Sequence, residues 1–387
     1  MENKTIKNLL IIGNGFDLSL GMKTSYKDFY DYLLNNNFFQ QNQSNILINY
    51  VRNVNEKEYW YDFEGILKEF ATKSTYAQKL NQCHKAIEGL DEIVSGNIID
   101  ISLLKKLQLV NIICPNYSRL LRDLDEFGFT KDVLDNINII INQIKDYCEG
   151  IKKDVEEGVK KLTEKLFDFL TPATPTHENK YFPAEWIISA MYGAYDSGRI
   201  GIAKKIANDE INNEQPDATI VSFNYTDTLY HITHIIERCN IPISDEIHSL
   251  KNNIYNIHGN LRRKDIVFGI DDEKSVCKEF NILRKSLLVK DDSRKIISNL
   301  LNSANRIIIF GHSIFAIDYI YYKDFFESNI SKEKEIYIIC IKDDIEKIKT
   351  QFIDHGISLS QKKIIASDLY NDEFIELCSK IAEEQKK

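Results

Sequence analysis

The sequence predicts an α/β protein with a Rossmann-like parallel sheet, helices on both faces, and a large, mostly helical insertion. Two observations carry this prediction. Short runs rich in isoleucine and valine, typical of strands buried on both faces, alternate with helical patterns near the amino terminus and after residue 213. Between these two regions, apolar residues recur at three- and four-residue spacing, which is typical of amphipathic helices.

The alternation of strand and helix patterns predicts the order of the elements, and short strands joined by helices are typical of a parallel sheet. The predicted strands are Asn8–Ile12, Ala218–Phe223, Asn253–Ile257, Arg306–Phe310, Glu335–Ile341 and Lys363–Ala366. The predicted helices that accompany them are Ser25–Leu34, Thr226–Cys239, Asp318–Ser328, Asp344–Asp354 and Asp372–Glu384.

The helical insertion is predicted from three amphipathic segments, Ser102–Val110, Thr130–Cys148 and Ile151–Leu170. We therefore expect residues 1–40 to form the first strand-turn-helix of the Rossmann-like domain, 41–213 the insertion, and 214–387 the rest of the domain. An N-terminal helical domain followed by an α/β domain would leave Asn8–Ile12 without a sheet to join. The apolar stripes suit an intramolecular core and a homo-oligomer interface equally well.

Composition limits the partners and the compartment. The net charge of −9 argues against broad binding to nucleic acid or to an anionic membrane. The apolar run after Lys7 is too short for a signal peptide, and no segment has the roughly 18 consecutive apolar residues of a membrane helix. The seven cysteines include no Cys-x-x-Cys pair, which argues against a disulfide framework and a cysteine zinc site. We expect a cytoplasmic protein with no membrane partner and no bound metal.

Polar and glycine-rich segments follow four of the predicted strands. Ligands of parallel sheets bind beyond the carboxyl ends of the strands, so these segments are expected along one edge. Their common placement predicts a binding site there. The segments are Gly13-Asn14-Gly15-Phe16-Asp17, Asn224-Tyr225-Thr226-Asp227, His258-Gly259-Asn260, and Gly311-His312-Ser313 with Asp318.

Each segment also has a structural interpretation. The two glycines of the first segment relieve a tight turn in that interpretation, with Asp17 as the N-cap of the next helix. Asn224 and Asp227 cap a helix in the same way, and His258 is a turn histidine.

The sequence also contains features of other functional classes. His231 and His234 form a His-x-x-His pair without a third ligand, so we interpret them as structural. Ser313 lacks the second glycine of Gly-x-Ser-x-Gly, which argues against a serine hydrolase. A metal-dependent phosphoesterase or nuclease is left open, although its carboxylates are spread thinly. A nucleotide-binding sensor or toxin component without turnover is also left open, in which the helical insertion would transmit the signal.

Several motifs in a common order resemble the AbiH-like family of bacterial abortive-infection proteins. The resemblance runs from near the amino terminus to Asp318 and implies an anti-phage effector. The motifs are Gly-Asn-Gly-Phe-Asp-Leu at 13–18 with Thr24-Ser25-Tyr26 and Phe29, Trp60 with Phe63-Glu64, Ser222-Phe223-Asn224-Tyr225-Thr226, Ile257-His258-Gly259, Phe268-Gly269-Ile270-Asp271, and Phe310-Gly311-His312-Ser313 with Asp318.

The order of these segments is also similar to that of sirtuin-like NAD-binding domains. This similarity implies that Asn224 orients a ribose hydroxyl or a water and that His258 acts as a base. It further implies that the remaining rim residues contact the dinucleotide: Gly13, Asn14, Gly15, Phe16, Asp17, Asp227, Gly311, Ser313 and Asp318.

Two departures qualify this similarity. Asn14 and Asp17 stand where sirtuins have small residues, and the sirtuin zinc cysteines are absent. The absence of those cysteines argues against a protein deacylase, and similarity to the sirtuin-like NADases of anti-phage systems fits better.

The resemblance leads to a mechanistic expectation: hydrolysis of NAD to release nicotinamide, with no metal or cofactor required and NAD or a related nucleotide as ligand. Asp17 is expected to accept from ribose hydroxyls, and Glu64, after Trp60, to close over the pocket. Such an enzyme must be silent in healthy cells. We therefore expect an inactive resting form, with a phage-derived trigger or a partner defence protein to activate it.

Overall fold

The computed structural model describes residues 8–58, 63–96, 101–173, 183–191, 218–238, 253–270, 276–288, 292–315, 317–360, 362–366 and 371–385. Trp60, Cys239 and Asp271, named above, lie outside these residues. The chain divides into two compact units. The sheet unit comprises Met1–Tyr32, Leu166–Val267 and Val289–Lys387, and the helical unit comprises Leu33–Lys165 and Phe268–Leu288.

The described part of the sheet unit contains a six-stranded sheet in which every pairing is parallel, in the order β3-β2-β1-β4-β5-β6. This is the strand order of the doubly wound dinucleotide-binding fold, which confirms the predicted fold class. The strands are β1 (Asn8–Ile12), β2 (Ala218–Ser222), β3 (Ile254–Asn256), β4 (Arg306–Phe310), β5 (Glu335–Cys340) and β6 (Lys362–Ala366).

The central strand β1 is buried along its whole length. Since successive side chains of a strand point to opposite faces, Leu10 and Ile12 join the apolar core on one face, and Leu9 and Ile11 the core on the other. A strand covered on both faces needs a continuous apolar sequence, and this is why Asn8–Ile12 was recognisable.

The described residues between β1 and β2 form helices and no strand, which confirms the large helical insertion. Two of its boundaries were predicted wrongly. Two short helices, Ile101–Lys105 and Gln108–Ile113, replace the predicted helix at 102–110. A single helix, Lys131–Leu170, continues through Gly150, because helical residues flank that glycine on both sides. The helices are α1 (Asn14–Ser19), α2 (Tyr26–Asn35), α3 (Phe38–Gln41), α4 (Ile46–Glu58), α5 (Phe63–Lys73), α6 (Thr75–Val94), α7 (Ile101–Lys105), α8 (Gln108–Ile113), α9 (Tyr117–Phe127), α10 (Lys131–Leu170) and α11 (Pro183–Met191).

After β2, the helices follow the predicted order with one break. The predicted helix Asp318–Ser328 is a 3₁₀ helix, Ile317–Tyr321, and then a short α-helix, because the fully buried Tyr322 departs from helical φ at −111°. The helices are α12 (Thr228–Arg238), α13 (Lys285–Leu288), α14 (Asp292–Ser303), α15 (Lys323–Glu327), α16 (Ile345–Asp354) and α17 (Asp372–Gln385), with further 3₁₀ helices at Lys278–Leu283, Ile330–Lys332 and Lys342–Asp344.

The helical unit has its own apolar core, in which the later segment Phe268–Leu288 packs on the earlier helices. The rings of Phe70 and Phe280 lie 5.2 Å apart. The Lys285 ammonium is 2.8 Å from the Glu64 carboxylate, and both side chains are largely buried. Glu64 is therefore engaged in an ion pair of this unit, and its expected place over the pocket stays a prediction.

Among the described residues, no helix combines the length and the apolar character needed to cross a membrane.

Candidate functional site

The turns that follow β1 and β4 lie directly against each other. The Gly15 N–H donates to Gly311 O at 2.8 Å, and the Gly13 N–H donates to Phe310 O at 3.0 Å. A Cβ on Gly15 would fall 2.5 Å from Gly311 Cα, and Gly311 itself has φ +59°. Glycine is required here because the two backbones approach too closely for side chains. Phosphate binding by these turns stays a prediction, and the Gly15 N–H is already used within the fold.

The Asp17 carboxyl is buried at the centre of the same edge. The helix begins at Asn14, so Asp17 lies within α1, and its interpretation as an N-cap is wrong. Its Oδ2 accepts from Thr226 Oγ1 at 2.6 Å, while its Oδ1 has no hydrogen-bond partner. Burial raises the pKa of Asp17 to about 7, against the opposing influence of Thr226 and Asn224. Near neutral pH this carboxyl can thus either donate or accept a hydrogen bond.

The Asn224 side chain lies next to Asp17 and is 4% exposed. Its backbone N–H donates to Ser222 Oγ at 3.2 Å. Its side-chain amide is close enough to the Asp17 carboxyl to lower the pKa of that group, but neither amide atom forms a hydrogen bond of good geometry. Buried polar atoms are almost always paired, and an unpaired one costs about 1–3 kcal/mol. Beyond its contact with Asp17, the Asn224 amide therefore has donor and acceptor capacity left at the edge of the sheet.

Asp227, in contrast, caps α12. Its Oδ1 accepts from the Tyr230 N–H at 3.2 Å, as the structural interpretation of this residue expected. A contact between Asp227 and a ligand stays a prediction.

A second polar group is formed by two histidines and a carboxylate. His258 Nε2 lies 3.2 Å from Asp318 Oδ1, and His312 Nε2 lies 4.0 Å from Asp318 Oδ2. All three side chains are largely buried. A carboxylate in this position orients an imidazole and stabilises the imidazolium that forms when the ring takes up a proton.

The chain around Asn224 connects the two groups. Phe223 and Tyr225, on either side of Asn224, have ring centroids 5.3 and 6.2 Å from that of His258. Phe223 also stacks on His312 at 4.2 Å. The structure thus brings Asn224, His258 and Asp318, three predicted site residues from separate segments of the chain, to one edge of the sheet.

Comparison with known protein families gives a match that includes the residues of this edge. A family model described as bacteriophage abortive infection AbiH matches residues 9–340. This chain belongs to the AbiH family. A search of curated proteins found no match. The matched residues include β1 except Asn8, all of β2 to β5 and every rim residue described above. Family membership implies a part in defence against bacteriophage.

Three other residues of this AbiH protein that were predicted to contact the ligand are buried in the core, bonded within the chain, or exposed. The Phe16 ring is fully buried and meets Phe310 edge-on at 5.8 Å, as a core residue does. Asn14 is exposed and accepts from Thr24 Oγ1 at 2.7 Å, and Ser313 is exposed. Ligand contacts of all three stay predictions.

Sequence reasoning missed two polar residues of this AbiH site. His312 lies in the predicted segment Gly311-His312-Ser313, but Ser313, and not His312, was predicted to contact the ligand. Thr226 donates to Asp17, which lies far away in the sequence, so no local pattern could indicate the pair. Within the described residues, the metal-ligating side chains at this edge do not form a group of three that could hold an ion.

Proposed function

We propose that this AbiH protein hydrolyses the bond between nicotinamide and ribose in NAD and acts in abortive infection by depleting NAD. The observation that carries the proposal is the buried Asn224 amide, which forms no hydrogen bond of good geometry and whose neighbours Phe223 and Tyr225 lie against His258 of the His258–Asp318 pair. Both lie at the edge where a sheet of this strand order binds its dinucleotide.

The reaction needs a positioned water and a place for one proton. The water oxygen attacks C1′ of the ribose while the C1′–N bond breaks, and that bond's electron pair neutralises the pyridinium nitrogen. The neutral nicotinamide leaves without acid help, and the water's proton passes to His258, which Asp318 orients. Asn224 can donate to and accept from the water and a ribose hydroxyl. The products are nicotinamide and ADP-ribose, and no metal or cofactor is required.

The remaining polar groups of the edge are assigned to binding. Asp17 Oδ1, which has no partner within the chain, is placed to bond ribose hydroxyls in either protonation state. The turns containing Gly13, Gly15, Gly311 and Ser313 line the rest of the dinucleotide. Asp318 is a positioning residue in this scheme, because it acts through His258.

Burial of the site favours a silent resting form. The His258 side chain is 2% exposed, so substrate access requires a rearrangement of the edge. We infer that a phage-derived trigger or a partner defence protein supplies it, as the need to preserve NAD in healthy cells demands.

The test measures NAD, nicotinamide and ADP-ribose by mass spectrometry in phage-infected cells that express the protein or a variant. We expect infection to lower NAD and raise both products with the wild-type protein. Asn224→Ala and His258→Ala should lower product formation at least 100-fold, because each removes a group that acts on the attacking water. His234→Ala, which removes an imidazole from the middle of α12, should leave it within twofold.

Three results would contradict parts of this proposal. Protection from phage with unchanged NAD would indicate a nucleotide sensor without turnover. NAD loss that persists in both the Asn224 and His258 variants would show that the active site lies elsewhere. Hydrolysis of a phosphoester or a nucleic acid by the purified protein that requires an added divalent cation, without cleavage of NAD, would indicate metal-dependent chemistry instead.

A further inference from the structure

Three potential metal ligands from distant parts of the chain converge in the helical unit. They are His84 on α6, Cys148 on α10 and Glu279 in the 3₁₀ helix Lys278–Leu283. One donor atom of each lies within 4.8 Å of the other two. The described residues contain no second group of this kind. We call these three residues the His84–Cys148–Glu279 cluster.

The cluster has unused bonding capacity. Glu279 is 6% exposed and its Oε1 lies 2.8 Å from His84 Nε2, but its Oε2 has no hydrogen-bond partner. A buried carboxylate oxygen without a donor is costly, and a cation would relieve that cost. The cluster lines a cavity of about 760 Å³, whose wall also includes Cys277 and Asp146. An ion and a further small ligand therefore have room beside the three donor atoms.

We propose that the His84–Cys148–Glu279 cluster binds a divalent transition-metal ion, with zinc as the fitting metal. Imidazole nitrogen, thiolate sulfur and carboxylate oxygen together suit zinc, whereas magnesium and calcium prefer oxygen ligands alone. Zinc bonds of about 2.0–2.3 Å at tetrahedral angles separate the donor atoms by about 3.4–3.6 Å. The His84–Glu279 contact must therefore lengthen slightly and the Cys148 sulfur must approach, which are adjustments of side chains.

A neighbouring thiol positions one of the ligands. Cys83 is fully buried and precedes His84 on α6, and its thiol lies close enough to that of Cys148 for each thiol to shift the pKa of the other. Such outer contacts orient metal ligands. Because the three ligands line the cavity, a fourth coordination position would remain for water or a substrate, as is typical of zinc sites with three protein ligands.

Sequence spacing alone does not indicate this site. Its ligands come from two helices and from a segment that returns to the helical unit after β3, so no short motif contains them. The ion would join Phe268–Leu288 to α6 and α10, within one unit.

The test is a metal titration of the full-length protein, freed of metal by chelation and kept reduced with a phosphine. We expect one equivalent of Co²⁺ to produce a thiolate-to-cobalt charge-transfer band, which Zn²⁺ then removes by displacement. Cys148→Ser should abolish the band and weaken Zn²⁺ binding about 100-fold, and Glu279→Gln should weaken it at least tenfold. Cys114→Ser, which alters another buried cysteine outside the cluster, should change neither.

Circular dichroism of each variant tests whether the fold is retained, and Glu279→Gln, which preserves the shape of the side chain, separates loss of a ligand from loss of packing. The proposal is overturned if the wild-type protein gives no charge-transfer band. It is also overturned if Cys148→Ser and Glu279→Gln bind Zn²⁺ as tightly as the wild-type protein. Neither readout depends on NAD cleavage.

Discussion

The Asp17 carboxyl carries a cost that depends on pH. Its pKa is raised from 3.8 to about 7 because burial disfavours the charged form. Below pH 3.8 both the folded and the unfolded chain hold the proton, and no cost arises. As the pH rises from 3.8 to 7, the unfolded chain ionises while the folded chain does not, so the free energy of unfolding falls. The loss levels off above pH 7 at about 4 kcal/mol.

Asp17→Asn should remove this dependence on pH. An amide keeps an acceptor for Thr226 Oγ1 and does not ionise. We expect the gain in unfolding free energy over the wild-type protein to be about 2–3 kcal/mol larger at pH 8 than at pH 5, as measured by urea denaturation. Asp354→Asn, at an exposed carboxyl, is the control and should show no such difference. A gain for Asp17→Asn that is equal at both pH values would contradict the assigned pKa.

Individual site residues were predictable from sequence only when a neighbouring strand located them. Asn224 and His258 follow recognisable strands, so their shared edge could be predicted. The pairings within the site could not be predicted. Asp318 reaches His258, and Thr226 reaches Asp17, through packing between segments that are remote in the chain.

At the scale of elements, the contact between the turns after β1 and β4 holds the middle of the edge together. These strands are neighbours at the point where the strand order reverses. Each turn contributes a glycine that has no room for a Cβ. We expect the edge to tolerate little change there, because backbone cannot move aside as a side chain can.

Gly311→Ala measures that restriction, and Gly356→Ala is its matched control. Both glycines have positive φ, +59° and +67°, but a Cβ at 311 would lie 2.4 Å from Gly15 Cα and one at 356 would meet nothing within 4 Å. We expect Gly356→Ala to cost about 1 kcal/mol from backbone strain alone. Gly311→Ala should cost at least about 2 kcal/mol more in urea denaturation. Equal costs would show that the two turns can separate freely.

Elements were predictable where one local property decided them. The strands of the sheet interior were predictable, because a strand buried on both faces requires an uninterrupted run of apolar residues. The break at Tyr322 was not predictable, because it depends on the tertiary packing of a buried ring. The continuation of α10 through Gly150 was not predictable either, because it depends on the helical residues on both sides of the glycine.

For the whole molecule, the last residues of the chain complete the sheet unit. The family match ends at residue 340, yet β6 pairs with β5 beyond it, and α17 supplies Phe374, Leu377 and Ile381 to the core. The buried Arg306 at the start of β4 donates to Glu384 of α17 at 2.6 Å. The carboxyl-terminal helix is therefore part of the folded unit that carries the site.

Phe374→Ala should accordingly destabilise the sheet unit by about 3–5 kcal/mol, because it leaves a cavity in the core. Ile353→Ala, at a side chain that is 65% exposed, should change the free energy of unfolding by less than about 0.5 kcal/mol. Urea denaturation followed by circular dichroism measures both. A small effect of Phe374→Ala would mean that α17 is dispensable for this core.

The position of β1 in the sheet has a consequence for synthesis on the ribosome. Asn8–Ile12 is made first, but its two neighbours begin at Ala218 and Arg306. At about 5–20 residues per second, the first partner strand follows only after about 10–40 s. During that time the nascent chain carries an apolar strand with both edges unpaired, so it must be shielded, by a chaperone or by collapse onto the emerging helices.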